Sequence, residues 1–284
     1  MKQYAFTKNF VGLLLTCSFL FVSCDIVEEP FRKSGGPVEI DTTKPKILLE
    51  EFTGHRCHNC PAAHKRAKEL AALYPDNFIT VAIHSGHFAI PYPTGDSYRY
   101  DFRTSVGNEL TNYYSVTGYP TGMINRTRFN GQFIHNPPQW DGNITEFLAN
   151  NQRAELKIEL SASYNSASRA IETNVKLDYL SSQINTNRIS VWVVEDGIIN
   201  WQKDGELDVP DYVHSNALRY SFNGTWGDVV SAISIPVNAT YNFEYSYTLP
   251  QSSDWKPENL KIVAFVYDDE NGVKQVEQVK VVIK

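Results

Sequence analysis

Residues 57–60 read Cys57-His58-Asn59-Cys60, two cysteines separated by two residues between an apolar run and an amphipathic segment. The apolar run, residues 47–52, predicts a short buried strand. Apolar residues then recur at helical spacing over residues 63–74. Pro61 is tolerated in the first turn of a helix but not in its interior, so the helix begins close to the cysteines. Both sulfurs are therefore predicted to lie in or beside the first turn of a helix.

That position favours thiol–disulfide chemistry, because the free N–H groups and the dipole of a helix N-terminus stabilise a thiolate. We expect Cys57 to be the accessible, attacking thiolate and Cys60 to resolve the mixed disulfide. A bridge between them closes so small a loop that it constrains the unfolded chain little. The pattern thus predicts a redox-active disulfide and no separate cofactor. An inert disulfide remains the alternative.

A zinc or copper site is a second alternative for the cysteine pair. Cys60 and His64 share one helix face, and His84 and His87 end the second predicted strand. A Cys₂His₂ site would need all four ligands at bonding distance. The spacing is loose and no second CxxC is present in the sequence, so we predict no metal.

The beginning of the chain predicts export and lipidation. Residues 1–23 combine a basic start with an apolar stretch too short to span a bilayer, as in a signal peptide. Cys24 follows Ser23 in a sequence that resembles a lipobox, so acyl chains such as palmitate are predicted on Cys24 as a membrane anchor. Residues 24–44 are polar and predict a flexible tether. Acidic residues just after Cys24 resemble surface-export signals, and surface display and a plain spacer both stay open.

Charge and cysteine content restrict the partners. The formal net charge is −6 and the chain has no basic run, which argues against nucleic acid as a partner. Of the four cysteines, Cys17 leaves with the signal and Cys24 carries lipid, so Cys57 and Cys60 remain in an exported protein. The predicted partners are protein thiols or disulfides of the cell envelope.

The rest of the chain predicts two domains. Residues 45–152 show strand, CxxC, helix and strand, an order that implies a parallel crossover. Residues 153–284 carry eight short alternating runs separated by turn signals, without a convincing helix. We therefore expect an α/β domain followed by an all-β antiparallel sandwich domain.

Two motifs together resemble the thioredoxin superfamily: the CxxC at a helix start, and Tyr119-Pro120-Thr121 leading into a predicted hairpin. The resemblance implies that residues 45–152 form a thioredoxin-like domain with a cis Pro120 beside the disulfide. It also implies that Glu51 is a buried carboxylate that exchanges protons with Cys60, and that His58, Tyr119 and Thr121 contact substrate. Ordinary thioredoxins have an aromatic residue at the position of Arg56, and this departure argues against general-purpose protein reduction. They have Gly-Pro at the position of His58-Asn59, and this departure favours a different redox poise.

Longer strings resemble one family more closely. They are Glu51–Ala62, Gly118–Arg126, Tyr212–His214 and Gly224–Gly227. They are similar to an outer-membrane lipoprotein family named after a twenty-eight-kilodalton outer membrane protein. The resemblance implies an outer-membrane lipoprotein with a thioredoxin-like domain and a β-rich C-terminal domain.

Together these features predict an outer-membrane-anchored thiol–disulfide oxidoreductase acting on extracytoplasmic proteins. The catalytic residues would be Cys57, Cys60, Pro120 and Glu51. The alternative is a non-enzymatic surface adhesin or accessory binding subunit of an outer-membrane complex. In either case the C-terminal domain is a candidate for binding an envelope protein.

Overall fold

The structure, a computed structural model, describes residues 44–231 and 233–284. The predicted signal peptide, Cys24 and nearly all of the tether lie outside the described residues. The helices are α1 (Cys60–Leu73), α2 (Ser105–Tyr113) and α3 (Trp140–Asn150). The strands are β1 (Ile47–Thr53), β2 (Phe78–His84), β3 (Thr121–Ile124), β4 (Leu156–Asn165), β5 (Ala170–Tyr179), β6 (Asn187–Glu195), β7 (Ile198–Asp204), β8 (Leu207–His214), β9 (Ala217–Ser221), β10 (Asp228–Ser231), β11 (Thr240–Thr248), β12 (Leu260–Asp268), β13 (Gly272–Lys280) and β14 (Val282–Ile283). Within these ranges no helix is long and apolar enough to cross a membrane.

The strands form three sheets. The largest has the order β13-β12-β6-β9-β2-β1-β3, and β10 adds to β6. A second sheet has the order β11-β5-β4-β14, and β7 and β8 form a separate two-stranded sheet. β1 and β2 are parallel, as the strand–helix–strand order predicted, and β3 is antiparallel to β1.

The largest sheet contains strands from both sides of residue 152. β2 pairs with β9 in parallel at Ala82 and Ala217, and the Ala82 N–H donates to the carbonyl of Asn216 (2.8 Å). The expected separate α/β thioredoxin-like N-terminal domain, followed by an all-β antiparallel sandwich domain, is therefore wrong. The described residues belong to one compact, mostly β unit with a mixed sheet. Alternation of apolar residues predicts which face of a strand is buried, but it does not predict the neighbouring strand.

The hydrophobic core explains why the two halves do not separate. One face of β1 and β2 packs against side chains of β6, β12 and β13 in a shared cluster. This cluster includes Leu48, Phe52, Val81, Ile83, Trp192, Val194, Val263, Phe265 and Val276. The other face of β1 is covered by α1 and α3, through residues such as Leu70, Trp140 and Ile144. Isolating the N-terminal segment would expose the shared cluster to water.

The sequence pattern predicts helices at residues 105–115 and 140–151 and a strand at 170–179, and the structure confirms all three as α2, α3 and β5. The sequence pattern predicts no strand at residues 198–212 and a single strand at 213–222, so it does not predict the hairpin of β7 and β8. The structure divides that run between β8 and β9, at Asn216. Asn216 has a φ of 54°, a left-handed conformation that asparagine tolerates and that ends a strand.

Candidate active site

The two cysteines lie where the sequence predicted. Cys57 and Cys60 form a disulfide with Cα atoms 5.4 Å apart. α1 begins at Cys60, and Pro61 lies in its first turn. The loop that carries Cys57 follows the end of β1 directly.

The expectation that Cys57 is accessible is wrong for this conformation, because Cys57 is 1 % exposed and Cys60 is 0 % exposed. The loop between β1 and α1, residues 54–59, carries Cys57 and is called the cysteine loop here. The hairpin of β7 and β8 is hydrogen-bonded to it. The Lys203 N–H donates to the carbonyl of His55 (2.8 Å), and the Gly205 N–H donates to the carbonyl of His58 (3.0 Å). The cysteine loop is therefore held against the hairpin by backbone hydrogen bonds.

Gln202 of β7 is the side chain that reaches the disulfide loop most directly. It is fully buried, and its Nε2 donates to the carbonyl of Cys57 (3.0 Å). Sequence reasoning did not identify Gln202, because it lies 145 residues from Cys57 in the chain. The string Tyr212–His214 in the neighbouring strand β8, which resembles the family pattern, was the one sequence signal that pointed to this region.

Glu51, the predicted proton-exchanging residue, is buried in β1. Its Oε1 lacks a hydrogen-bond partner and lies 3.5 Å from Nε2 of His64. Burial raises the pKa of Glu51 to about 8. The carboxyl is therefore mostly protonated at neutral pH, and it can release or accept a proton in that range.

His64 connects Glu51 to the hairpin. Its Nε2 lies 3.0 Å from the hydroxyl of Thr53, and its Nδ1 lies 2.8 Å from the hydroxyl of Tyr212 in β8. Burial, with a smaller contribution from Lys68, lowers the pKa of His64 to about 4, so the contact with Glu51 joins two uncharged groups at neutral pH. A cavity of about 60 Å³ is lined by Glu51, His64 and Tyr212 among others, and it has room for a few water molecules.

Three further histidines surround the ring of Phe102 beneath the hairpin. The ring centroids of His84 and His214 each lie 4.5 Å from that of Phe102, and the centroid of His55 lies 5.7 Å away. Both ring nitrogens of His55 and His84 lack a hydrogen-bond partner, as does Nδ1 of His214. Burial lowers the pKa of all three, to about 4 for His55 and about 3 for His214.

These imidazoles are therefore neutral at pH 7, the form that binds metals. The geometry nevertheless gives no group of three or more His, Cys, Asp or Glu side chains able to hold a metal ion, within the part of the chain that the structure describes. The Cys₂His₂ alternative would also need His87, which is exposed while His84 is buried.

The peptide bond between Tyr119 and Pro120 is cis. The hydroxyl of Tyr119 lies 3.3 Å from that of Ser85, and its ring centroid lies 5.9 Å from that of Phe88. The carbonyl of Phe88 accepts the N–H of Arg56 (3.0 Å), so Phe88 links the cysteine loop to Tyr119.

The other two predicted substrate contacts differ in accessibility. Thr121 is buried, and its hydroxyl donates to the carbonyl of His135 (2.8 Å), so its side chain is occupied within the protein. His58 is exposed beside the disulfide and lines an open groove. Of the predicted substrate contacts, His58 and the half-buried Tyr119 are the two whose side chains reach solvent.

The model of the family described as outer membrane protein Omp28 matches residues 107–284, more than half of the chain. The chain belongs to the Omp28 family. Membership confirms the predicted location of this Omp28-family protein in the outer membrane. The match includes the hairpin of β7 and β8 and excludes Cys57 and Cys60.

Solved structures show what this Omp28-family protein resembles in fold. HBP35 of Porphyromonas gingivalis superposes with a TM-score of 0.62 at 15 % identity, over 84 % of this chain and 76 % of that protein. A domain of the outer membrane lipoprotein Omp28 from Porphyromonas gingivalis shares 27 % identity over 46 % of this chain and 91 % of that domain, with a TM-score of 0.32. No curated protein sequence matches the chain.

Proposed function

We propose that this outer-membrane protein is a thiol–disulfide oxidoreductase that acts on extracytoplasmic proteins and is anchored by lipid on Cys24. The observation that supports the proposal is the Cys57–Cys60 disulfide at the start of α1, together with the buried Glu51, whose Oε1 lies 3.5 Å from Nε2 of His64 in the same helix. An unpartnered carboxyl oxygen and a raised pKa cost stability in a protein interior, and such groups concentrate at functional sites.

Glu51 of β1 lies against the face of α1 that carries Cys60. Cys60 precedes His64 by four residues, so the two lie on one face of the helix, and His64 contacts Glu51. A carboxyl with a pKa of about 8 is protonated in the resting protein and can give its proton to a sulfur that becomes a thiolate.

The reaction begins when a substrate thiolate attacks the sulfur of Cys57. The Cys57–Cys60 bond breaks, its electron pair moves to the sulfur of Cys60, and Cys60 takes the proton of Glu51. A second thiolate of the same substrate then attacks the substrate sulfur of the mixed disulfide and releases Cys57 as a thiolate, so the substrate gains a disulfide. The Cys57 thiolate and the Glu51 carboxylate then take protons from water, which leaves the protein as a dithiol. The reverse sequence of steps reduces a substrate disulfide. In either direction, a thiol or disulfide protein of the envelope returns the cysteine pair to its starting oxidation state.

Access to Cys57 requires the hairpin of β7 and β8 to move away from the cysteine loop. The hairpin belongs to neither of the two larger sheets, and backbone hydrogen bonds from Lys203 and Gly205 hold it to the cysteine loop. Opening it replaces these protein–protein hydrogen bonds with bonds to water, which costs little per bond. The proposed enzyme therefore alternates between a closed form and an open form.

The test is trapping with oxidised glutathione. In the reduced Cys60→Ser variant, Cys57 should form a mixed disulfide with glutathione that persists, because no second sulfur resolves it. The Cys57→Ser variant should retain none, and the wild-type pair should cycle between dithiol and disulfide. The proposal fails if neither variant retains glutathione and the wild-type pair never cycles in glutathione buffers.

A second experiment isolates the role of Glu51. Glu51→Gln should remove the part of the pH dependence of disulfide reduction that is centred near pH 8, while Glu159→Gln, an exposed carboxyl on β4, should leave it unchanged. An unchanged pH profile in Glu51→Gln would assign proton transfer to another group.

A non-enzymatic binding subunit remains the second candidate, because the hairpin exposes apolar side chains. Ile199 and Val213 are cross-strand neighbours, 61 % and 50 % exposed. Such exposed apolar pairs are typical of contact surfaces. A partner that co-purifies equally well with the double Cys57→Ala/Cys60→Ala variant would favour this function over the redox function.

A further inference from the structure

An open groove of about 740 Å³ lies beside the cysteine loop. Three separate segments form it: the cysteine loop, the loop at residues 88–98, and the hairpin of β7 and β8. Its walls contain two basic side chains and four aromatic rings, which are Arg56, Lys203, Phe88, Tyr92, Tyr98 and Trp201. The groove is therefore both cationic and aromatic.

Arg56 carries the uncompensated positive charge of this groove. Its guanidinium lies 4.8 Å from the centroid of the Tyr92 ring, and its Nη2 donates to the carbonyl of His87. Among residues 44–231 and 233–284 it has no carboxylate within salt-bridge distance, and its Nε is buried without a hydrogen-bond partner. Lys203, in contrast, lies 3.4 Å from the carboxylate of Asp208.

Three of the four aromatic rings, those of Tyr92, Tyr98 and Trp201, form a row. The centroids of Tyr92 and Tyr98 are 5.5 Å apart, and those of Tyr98 and Trp201 are 5.7 Å apart. The Tyr98 hydroxyl donates to Asp208, which fixes the ring between its two neighbours. The row thus begins under Arg56 and ends on β7, the strand that also carries Gln202.

We infer that this groove binds an extended peptide segment of a partner protein in which an acidic residue stands beside aromatic residues. The acidic side chain pairs with Arg56, whose planar guanidinium is already oriented by Tyr92 and the His87 carbonyl. The aromatic side chains of the peptide pack on Tyr92 and Trp201. A single aromatic acid would fill a small part of the groove, whereas a peptide segment spans the row.

This inference adds a binding groove to the proposed oxidoreductase. It rests on the proposed function only in taking the bound partner protein to be the substrate. Arg56 and His58 flank Cys57 in sequence, so a segment held in the groove lies next to the disulfide loop. The segment also contacts Trp201 and Lys203 of the hairpin that is hydrogen-bonded to the loop carrying Cys57. Binding itself needs no redox step, which makes it separately measurable.

The experiment measures binding of a short, cysteine-free, fluorescein-labelled peptide in which glutamates alternate with tyrosine and phenylalanine. It uses the full mature chain in detergent, in the oxidised state, and reads fluorescence anisotropy. We expect saturable binding that weakens with added salt. Arg56→Ala and Arg56→Gln should each weaken binding about tenfold or more, because a charge-assisted hydrogen bond is lost. Trp201→Ala should also weaken it.

Arg128→Ala is the matched control, since Arg128 also lies over an aromatic ring, that of Phe133 at 4.0 Å, in a different groove. Binding by Arg128→Ala should equal that of wild type, and near-UV circular dichroism should show that every variant is folded. Equal binding by Arg56→Gln and wild type overturns the inference. So does the absence of saturable binding, or binding of 3-phenylpropionate as tight as that of the peptide.

The outcomes separate this inference from the proposed function. If the peptide binds in an Arg56-dependent way but no variant traps glutathione, the peptide-binding groove is supported and the oxidoreductase proposal fails. If glutathione is trapped but peptide binding does not depend on Arg56, the oxidoreductase proposal is supported and the groove is not its substrate site.

Discussion

Arg126 and Glu50 form a two-point salt bridge inside the protein. The Nε of Arg126 donates to Oε2 of Glu50 (2.9 Å), and its Nη2 donates to Oε1 (2.7 Å). Both residues are nearly inaccessible to water. The guanidinium also lies 4.9 Å from the ring centroid of Phe265 and 4.7 Å from that of Tyr267. The pair therefore joins β1 to β12, and thus the two halves of the chain.

Replacing Arg126 alone should destabilise the fold strongly. Arg126→Met leaves the Glu50 carboxylate buried without its partner, and breaking a buried pair in this way costs about 3–5 kcal/mol. Urea denaturation measures the loss. The double variant Glu50→Leu/Arg126→Met should recover most of it, because no charge then remains buried. A single variant within about 1 kcal/mol of wild type would show that the pair does not hold the halves together.

Stability should be highest near pH 7. Burial lowers the pKa of four histidines below 6.5, so between about pH 4 and 6.5 the unfolded chain binds more protons and stability falls as the pH falls. Glu51, raised from 4.5 to about 8, acts in the opposite direction, because the folded state holds its proton and stability falls as the pH rises towards 8. Below pH 6.5 the four imidazoles outweigh this carboxyl. The histidines are His55, His64, His84 and His214.

The measurement is the urea midpoint as a function of pH. Glu51→Gln should flatten the decline above pH 7 and leave the acid side in place. A midpoint that keeps rising through pH 8 would contradict the assigned protonation of Glu51.

Gln202→Ala should speed reduction of the disulfide. The substitution removes the hydrogen bond to the Cys57 carbonyl, and a net bond of about 0.5–1.5 kcal/mol corresponds to a rate about 2–10 times higher if the hairpin must open first. Reduction by dithiothreitol, followed by thiol labelling, gives the rate.

Gln275→Ala is the matched control for general destabilisation. Gln275 is also a buried glutamine, and it accepts the N–H of Lys46 far from the hairpin. The same acceleration in both variants, or none in Gln202→Ala, would exclude the hairpin as the barrier to access.

Gly227→Ala should destabilise the protein more than Gly131→Ala. Both glycines have positive φ, 64° and 78°, so each substitution carries a conformational cost of about 1 kcal/mol. A Cβ at Gly227 would also lie 2.0 Å from the carbonyl oxygen of Ile189, whereas one at Gly131 meets nothing within 4 Å. Thermal denaturation compares the two variants, and equal losses would mean that the contact with Ile189 relaxes freely.

The elements near the cysteines could be predicted because their signals are local. The spacing of apolar residues after Cys60 predicts α1, and the position of Pro61 predicts its start to within a few residues. The hairpin of β7 and β8 has no such signal. Its buried Gln202 is polar, and exposed Ile199 and Val213 are apolar, so the usual relation between residue type and burial is reversed on this hairpin.

The sequence by itself determined the family, the outer-membrane location, the position of the disulfide at a helix start, and a candidate acid at Glu51. Only the tertiary structure decided that β2 pairs with β9, that one core is shared by both halves, and that a distant hairpin is hydrogen-bonded to the loop of the buried Cys57. The physical reason is distance along the chain. Helix starts and turns depend on neighbouring residues, whereas sheet pairing and the covering of a site depend on contacts between residues more than a hundred positions apart, which no local pattern records.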